Sequence, residues 1–292
     1  MLAAATTDEK TREELQRLSG ESFEREVREP RTSLLDILER FPGISLSFGT
    51  FLALLPAMRM RTYSISSAPS TTVGGNVSLS LTFSVLDEPA RSGSKARFLG
   101  VASNYLADLT SGDVLYVGVR KSRDAFCLPS DAATPVVMVA VGTGYAPFRG
   151  FVQELRARRQ SGGIDAPAGA AATLFFGCRG PEDDIYREEL DEAEREGVVR
   201  VVRAYSRSPV AGGVVVGHVQ DALRRHGDDL AALWGSGAKF FVCGNTKMAG
   251  DVKAVVRDAA RSAAGAQLVP GDDAAAWFSR FEPDRYVAEI FA

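Results

Sequence analysis

The sequence predicts two domains of different class: an antiparallel β domain led in by helices, then an α/β domain built on a doubly wound parallel sheet. Three observations carry this. The chain has 292 residues, more than one hydrophobic core usually organises. Val77, Leu79, Leu81, Phe83 and Val85 alternate with Ser78, Ser80, Thr82 and Ser84, the period-two pattern of a half-buried antiparallel strand. From residue 136 onward, apolar runs and helical periodicities take turns four times, which argues for a parallel sheet covered on both faces. A Pro-flanked stretch at 129–135 marks the break.

Taken in order, residues 1–30 are rich in charge. A helix over 7–18 has a thin apolar face and reads as solvated. Ser33, with Asp36 three residues on, forms an approximate capping box. It opens a helix that sets Leu34, Ile37, Leu38 and Phe41 on one face and stops at Pro42-Gly43. A short apolar helix follows over 48–55, closed by Pro56. RTYSIS at 61–66 reads as a strand, 77–85 as the clearest strand of this half, and 87–97 as a polar loop. Ser103 caps a short helix reaching Leu109, and 113–119 alternates again. Beyond the break, strands are expected at 136–141, 173–177, 198–204 and 239–243. Helices are expected at about 147–160, 183–195, 218–226 and 245–263. SGGIDAPAGAAA at 161–172 reads as a low-complexity surface insertion with no role in chemistry.

Composition excludes several classes. Hydrophobic content of 45% and charged content of 24% are ordinary for a globular chain. A net charge of −3 gives no argument for nucleic acid or an anionic membrane. No apolar run reaches membrane-spanning length and no secretory signal is evident. Three cysteines and two histidines show no C-x-x-C and no zinc spacing. Cys127 has no motif around it. A reducing compartment, the cytoplasm, suits such a chain. There is no G-x-S-x-G elbow, and neither His218 nor His226 has a triad context, so a nucleophilic hydrolase is disfavoured.

The stretch 136–149, VVMVAVGTGYAPFR, organises the second half. A β-branched run leads into Gly142-Thr143-Gly144, and Pro147 stands where a helix begins. Strand, glycine turn and helix start together can seat an anion. Pro147 occupies the place of the third glycine of G-x-G-x-x-G, so residue spacing alone leaves a tight connection equally open. By themselves, RTYS reads as an edge strand, Cys243 at the end of KFFVC as a small buried hydrophobe, and His218 as a surface histidine at a helix start.

Seven stretches in order resemble the motifs of ferredoxin–NADP reductase-type flavoproteins. Arg61-Thr62-Tyr63-Ser64 is similar to their R-x-Y-S motif, and Gly100-Val101-Ala102-Ser103 to their second flavin loop. Gly142-Thr143-Gly144-Tyr145-Ala146-Pro147 resembles the nicotinamide-nucleotide turn. Gly177-Cys178-Arg179, Ala204-Tyr205-Ser206-Arg207, Val242-Cys243-Gly244-Asn245 and the segment 285–291 follow in family order. Within the family, LLDILERFPG and FLALLPAMRMRTYSI resemble the end of the helical connecting region of diflavin reductases. Those are NADPH–cytochrome P-450 reductase and the reductase half of self-sufficient P-450 fusion monooxygenases.

The resemblance implies three regions: a remnant of the helical connecting region at 1–58, an antiparallel β-barrel FAD domain at 59–130, and an NADP domain at 131–292. The family places barrel strands ahead of the connecting helices. Here helices start almost at Met1, so the barrel is expected to be incomplete and to expose an edge. The resemblance implies that Arg61, Tyr63, Ser64, Gly100, Val101, Ala102, Ser103 and Phe291 hold FAD. It implies that Gly142, Thr143, Gly144, Pro147, Cys178, Arg179, Ser206, Arg207, His218, Gln220 and Gly244 hold NADPH. Ser64, Cys243 and Glu289 would surround the point of hydride transfer. The implied activity passes a hydride from NADPH to FAD, then electrons to a flavodoxin-like FMN domain and a haem monooxygenase, fused upstream or separate. Sulfite reductase and nitric-oxide synthase modules are the close rivals; an NADP-binding fragment without flavin chemistry is the alternative of another class.

Departures from the pattern carry expectations of their own. Val216 and His218 stand where the family has Lys and Tyr, so one cation against the 2′-phosphate is missing and the NADPH preference is weakened. Glu289 replaces the usual Asp, one methylene longer. Phe291 replaces the Trp of the diflavin branch, so the ring that covers the flavin is smaller.

Overall fold

The computed structural model describes residues 1–69, 72–73, 76–93, 97–122, 125–161, 172–208, 214–265, 273–282 and 284–291. Most of the insertion at 161–172 and part of the polar loop at 87–97 lie outside the described residues. The chain forms two compact units: Met1–Thr62 with Ser84–Leu115, and Tyr63–Phe83 with Tyr116–Ala292.

The first unit is mainly helical. Helix α1 (Glu9–Ser19) is capped by Asp8, whose carboxylate accepts from the Thr11 N–H. The expectation of a solvated helix is corrected here, because Leu15 and Leu18 are buried. Two leucines three residues apart suffice for a narrow buried stripe. The charges beside them are used in ion pairs: Arg17 bridges Glu14 and Glu26, and Arg40 reaches Glu14. Helix α2 (Leu34–Arg40) has the full capping box, with Asp36 N–H donating to Ser33 Oγ (3.1 Å) and Ser33 N–H to Asp36 (2.7 Å). Helix α3 (Phe48–Leu54) is capped by Ser47. Asp87–Pro89 pairs antiparallel with Arg97–Leu99, ahead of α4 (Val101–Asp108).

The antiparallel half is only partly formed. Among the described residues, 61–66 and 113–119 carry no strand, and 77–85 is a strand only at its first residue. In the second unit, what remains is a Thr72–Val73 to Asn76–Val77 ladder and an isolated Ile65–Leu81 bridge. Alternation makes one face apolar, but a strand also needs hydrogen-bonding neighbours along its edges. Here Val114, Tyr116, Val117 and Val119 are left 65% to 94% exposed.

The rest of the second unit is a six-stranded parallel sheet. Its strands are β1 (Val136–Val141), β2 (Ala172–Cys178), β3 (Val199–Tyr205), β4 (Val215–Val216), β5 (Lys239–Gly244) and β6 (Tyr286–Ile290). The spatial order is β6-β5-β1-β2-β3-β4. The four expected strands are present within a residue or so at each end, and β4 and β6 are additional. The helices are α5 (Ala146–Gln160), α6 (Arg187–Arg195), α7 (Val219–Arg225), α8 (Gly227–Gly235), α9 (Thr246–Ala264) and α10 (Ala274–Ser279). The expected helix at 183–195 splits into a 3-10 turn at Pro181–Asp183 and α6; α8 and α10 were not expected.

The sheet is apolar on both faces, as its runs of β-branched and aromatic residues require. Val137, Val139, Phe175 and Val242 point into one core, against α7, α8 and α9 residues such as Leu223, Leu230 and Val252. Val136, Met138, Ala140, Phe176 and Phe241 point into the other, with Phe148 of α5 and Leu190 of α6. Each such Val, Leu, Met or Phe side chain contributes about 1.5–3 kcal/mol by leaving water, which makes this sheet the rigid part of the unit.

Candidate functional site at the sheet's switch point

The chain leaves β1 for β2, β3 and β4 on one side, then returns to put β5 on the other. In open α/β sheets, ligands bind beyond the carboxyl ends of the strands where the order reverses. Here that crevice is between β1 and β5, and the residues that follow those two strands are the ones the sequence singled out.

Gly142-Thr143-Gly144 follows β1 as a 3-10 turn, and α5 starts at Ala146 with Pro147 in its first turn. Gly142 has φ +53°, a left-handed conformation that glycine adopts without strain. Gly144 is constrained by contact instead. A Cβ there would stand 2.3 Å from the Cys243 carbonyl oxygen, so the turn packs directly on the end of β5. Gly244 is buried as well, and Phe291 N–H donates to its carbonyl (3.1 Å).

Cys243, Glu289 and Phe291 meet at this edge because β6 lies beside β5. Glu289 is in register with Cys243. Burial, and then the charge of Glu289, push the Cys243 thiol up to about 12, so it is held as S–H. Ser122 Oγ donates to Glu289 Oε1. No sequence signal marks Ser122, which lies 167 positions from its partner. Phe291 is 43% exposed at the mouth.

A second cluster lies beyond β2 and β3. Ser206 N–H and Oγ donate to the Cys178 carbonyl (3.0 and 3.3 Å), and Arg207 N–H donates to the Arg179 carbonyl (2.8 Å). Two exposed arginines are thereby set on adjacent strand ends. Arg179 grips Asp183 with Nη2 (2.8 Å) and Nε. That hydrogen bond holds the Asp183 carboxyl below its usual range, with Arg207 adding to the effect. Beneath lies buried Asp184, which accepts from Tyr205 OH (2.7 Å) and Arg203 Nε (2.9 Å). Burial, then Asp184 and Asp183, push the Cys178 thiol up to about 12. His218 is exposed ahead of α7, its backbone N–H donating to Asp221 (2.9 Å). Gln220 donates to Asp251 (3.3 Å).

The residues expected to hold FAD divide between the units. In the second, Tyr63 and Ser64 are half-buried, and the Tyr63 ring meets Phe83 edge-on at 5.8 Å. In the first, Arg61 is exposed and donates to the Arg59 carbonyl (2.8 Å). Gly100 leads into α4, where a Cβ would stand 2.6 Å from Ser103 Oγ and 2.8 Å from Leu86. Ser103 is buried, accepting from Leu86 N–H (3.0 Å), so its hydroxyl shapes the turn and leaves Val101 and Ala102 at its surface.

Comparison with known proteins agrees with both halves. Residues 1–105 match the family model of the FAD binding domain, and residues 138–254 that of the oxidoreductase NAD-binding domain. The bifunctional cytochrome P450/NADPH–P450 reductase of Fusarium oxysporum is 45% identical over 99% of this chain and 27% of its own length. Self-sufficient cytochrome P450 monooxygenase CYP505E3 of Aspergillus terreus is 45% identical over 100% of this chain and 25% of its own. CYP505E5 of Aspergillus niger is 46% identical over 99% and 25%. The chain thus spans about a quarter of the length of these relatives. With an FAD-binding half followed by a nicotinamide-nucleotide sheet, and fusion reductases as its relatives, the chain belongs to the ferredoxin–NADP reductase-type flavoproteins, as an FAD- and NADP-binding part of the diflavin kind.

Proposed function

We propose that this chain is an NADPH-dependent FAD reductase module that passes electrons to a flavodoxin-like FMN domain and on to a haem monooxygenase. The observation that carries the reading is the packing of Gly144 on the Cys243 carbonyl at the β1/β5 switch point, with Glu289 and Phe291 alongside. A glycine turn with no room for a side chain suits a pyrophosphate approaching backbone N–H groups. Arg179 and Arg207 on adjacent strand ends suit a 2′-phosphate. In the first unit, Arg61 and the start of α4, with Val101 and Ala102, suit a pyrophosphate; in the second, Tyr63 and Phe291 offer aromatic faces to a flavin ring. FAD when bound supplies the N5 that accepts a hydride.

In this reading Cys243 presents an S–H beside the reacting carbon, Ser64 hydrogen-bonds the flavin near N5, and Glu289 balances positive charge left on the nicotinamide. His218 gives the adenine a ring to stack on, and Gln220 lies beside it. We assign 1–58 to the helical connecting region, 59–130 to an antiparallel FAD barrel and 131–292 to the NADP domain. Three cysteines with no C-x-x-C and no zinc spacing suit the cytoplasm. Among the described residues, no helix is long and apolar enough to cross a membrane.

The test is direct. Purified protein is expected to be yellow and to bleach anaerobically with NADPH faster than with NADH. Equal rates with both coenzymes refute the 2′-phosphate assignment. The partial pairing of the antiparallel half favours one other reading, a nucleotide-binding fragment without flavin chemistry. A colourless protein retained on an immobilised NADP analogue supports that reading instead.

Phe291→Trp is expected to slow coenzyme exchange, because a larger ring has more stacking area to give up. Rates unchanged with both NADPH and NADH would count against a covering role for Phe291.

A further inference from the structure

The nicotinamide-side turn and the segment carrying Tyr63 and Ser64 belong to the same compact unit, and one side chain joins them. Arg149 lies three residues into α5, the helix that starts where the glycine turn ends. Its Nη1 donates to the Ser66 carbonyl and to Ser80 Oγ, both at 3.1 Å. Its Nε and Nη2 hold Glu189 Oε2 at 3.0 and 2.9 Å. Its guanidinium lies 4.4 Å from the centre of the Tyr186 ring. Tyr186, at φ +58°, is one of two non-glycine residues with positive φ among those described. Its hydroxyl hydrogen-bonds Thr82 (2.9 Å).

The next turn of α5 continues the grip. A Cβ on Gly150 would stand 3.1 Å from the Ser67 carbonyl oxygen, so helix and segment are in backbone contact. Gln153 Oε1 accepts from Ala68 N–H (2.9 Å). The segment is braced from behind by Ser66 N–H donating to the Ser80 carbonyl (2.7 Å) and Ser80 N–H to Ser67 Oγ (3.0 Å). Ser66, Ser67 and Ala68 are all buried. Arg149 is only 17% exposed, and its planar fork holds several acceptors in fixed directions.

We propose that Arg149 is a positioning residue for hydride transfer. Its hydrogen bonds, ion pair and ring contact are to protein groups. Its fork clamps the backbone two residues beyond Ser64, and its helix starts from the nicotinamide turn. From Ala146 to Arg149 the helix rises only about 5 Å. One rigid element therefore sets the spacing between the group that presents the hydride donor and the group that presents the acceptor. Spacing of that kind governs rate steeply, since a misplacement of about 1 Å costs on the order of 100-fold. The proposal rests on the functional reading above, which assigns the turn and the segment to those two roles.

The experiment uses the full chain loaded with FAD. Anaerobic bleaching by NADPH is followed by stopped flow, with rates expressed per bound FAD and NADP affinity measured separately by titration. For Arg149→Met, the expected bleaching rate constant is about 10- to 100-fold lower, with NADP affinity within about threefold. The isotope effect with 4-deuterated NADPH rises, because the transfer step becomes limiting. Arg149→Lys, which keeps charge but loses the fork, recovers part of the rate. An unchanged rate per bound FAD, or lost affinity at an unchanged rate, overturns the proposal. If Arg149→Met fails to hold FAD, Ser80→Ala removes one acceptor alone. A rate reduced about threefold then supports the clamp, and an unchanged rate overturns it. A wild-type protein that does not bleach at all overturns the functional reading, and the proposal with it. Wild-type bleaching with an indifferent Arg149→Met overturns the proposal only.

Discussion

Gly144→Ala is expected to cost the chain its NADP binding. The new methyl would stand 2.3 Å from the Cys243 carbonyl oxygen, which is backbone and cannot swing aside. The ends of β1 and β5 must part, or the turn must lift. Overpacking of this kind costs about 1–3 kcal/mol, and here it falls on the crevice itself. Retention on an NADP analogue should drop at least tenfold or so, with a lowered melting temperature. Gly142→Ala gives the contrast. Its Cβ would meet nothing within 4 Å, and only its φ of +53° is unfavourable, at about 1–2 kcal/mol. The milder variant should keep NADP binding. If the two substitutions rank the other way, close packing at Gly144 is not what shapes the turn.

Cys243→Ala should separate rate from affinity. The thiol is 2% exposed at the end of β5, so its loss removes one polarizable group without altering the glycine turn. Bleaching by NADPH is expected to slow about 10- to 100-fold, equivalent to about 1.4–2.7 kcal/mol of transition-state stabilisation. NADPH affinity should hold. An unchanged rate with lost affinity would refute the role. The pH dependence supplies an independent check. Burial and the neighbouring Glu289 carboxylate disfavour the thiolate, raising the group to about 12. Raising the pH therefore leaves the thiol protonated. Between roughly pH 6 and 10 the wild-type rate should show no thiolate limb, whereas an unperturbed cysteine would titrate near 8.5.

The parallel sheet was legible because each strand is buried on both faces and so reads as a continuous apolar run. VVMVAV, TLFFGC and KFFVC are of this kind. Two further strands escaped for different reasons. Val215–Val216 is too short to carry a period. YVAEI at 286–290 lies at the sheet edge, where Glu289 interrupts the apolar pattern. Helix α8 was hidden by His226, which ends one helix and begins the next without a proline or glycine before it. The antiparallel half was read from alternation, which reports a face and not a partner. Hence 113–119 has the right pattern and no ladder. For the site, the residues singled out by type and order lie at the ends of β1, β2, β3 and β5. Contacts such as Ser122 with Glu289 or Arg149 with Ser66 join residues 167 and 83 positions apart, and no local pattern encodes them.

The carboxylate of Asp183 adds a threshold to the pair of arginines at the ends of β2 and β3. Arg179 is already matched by one negative charge, so a ligand placed there must displace an anion before it gains a cation. A group with a single negative charge exchanges like for like. A phosphate with its second proton lost brings more charge than it displaces, and the excess falls to Arg207. In the proposed 2′-phosphate role, discrimination at this corner becomes a matter of counting charge. It should sharpen as pH rises through about 6, where a phosphomonoester takes up its second charge, and blur as salt screens exposed groups. A coenzyme without that phosphate has nothing to offer in the exchange, and meets an Arg179 whose charge is already matched by Asp183.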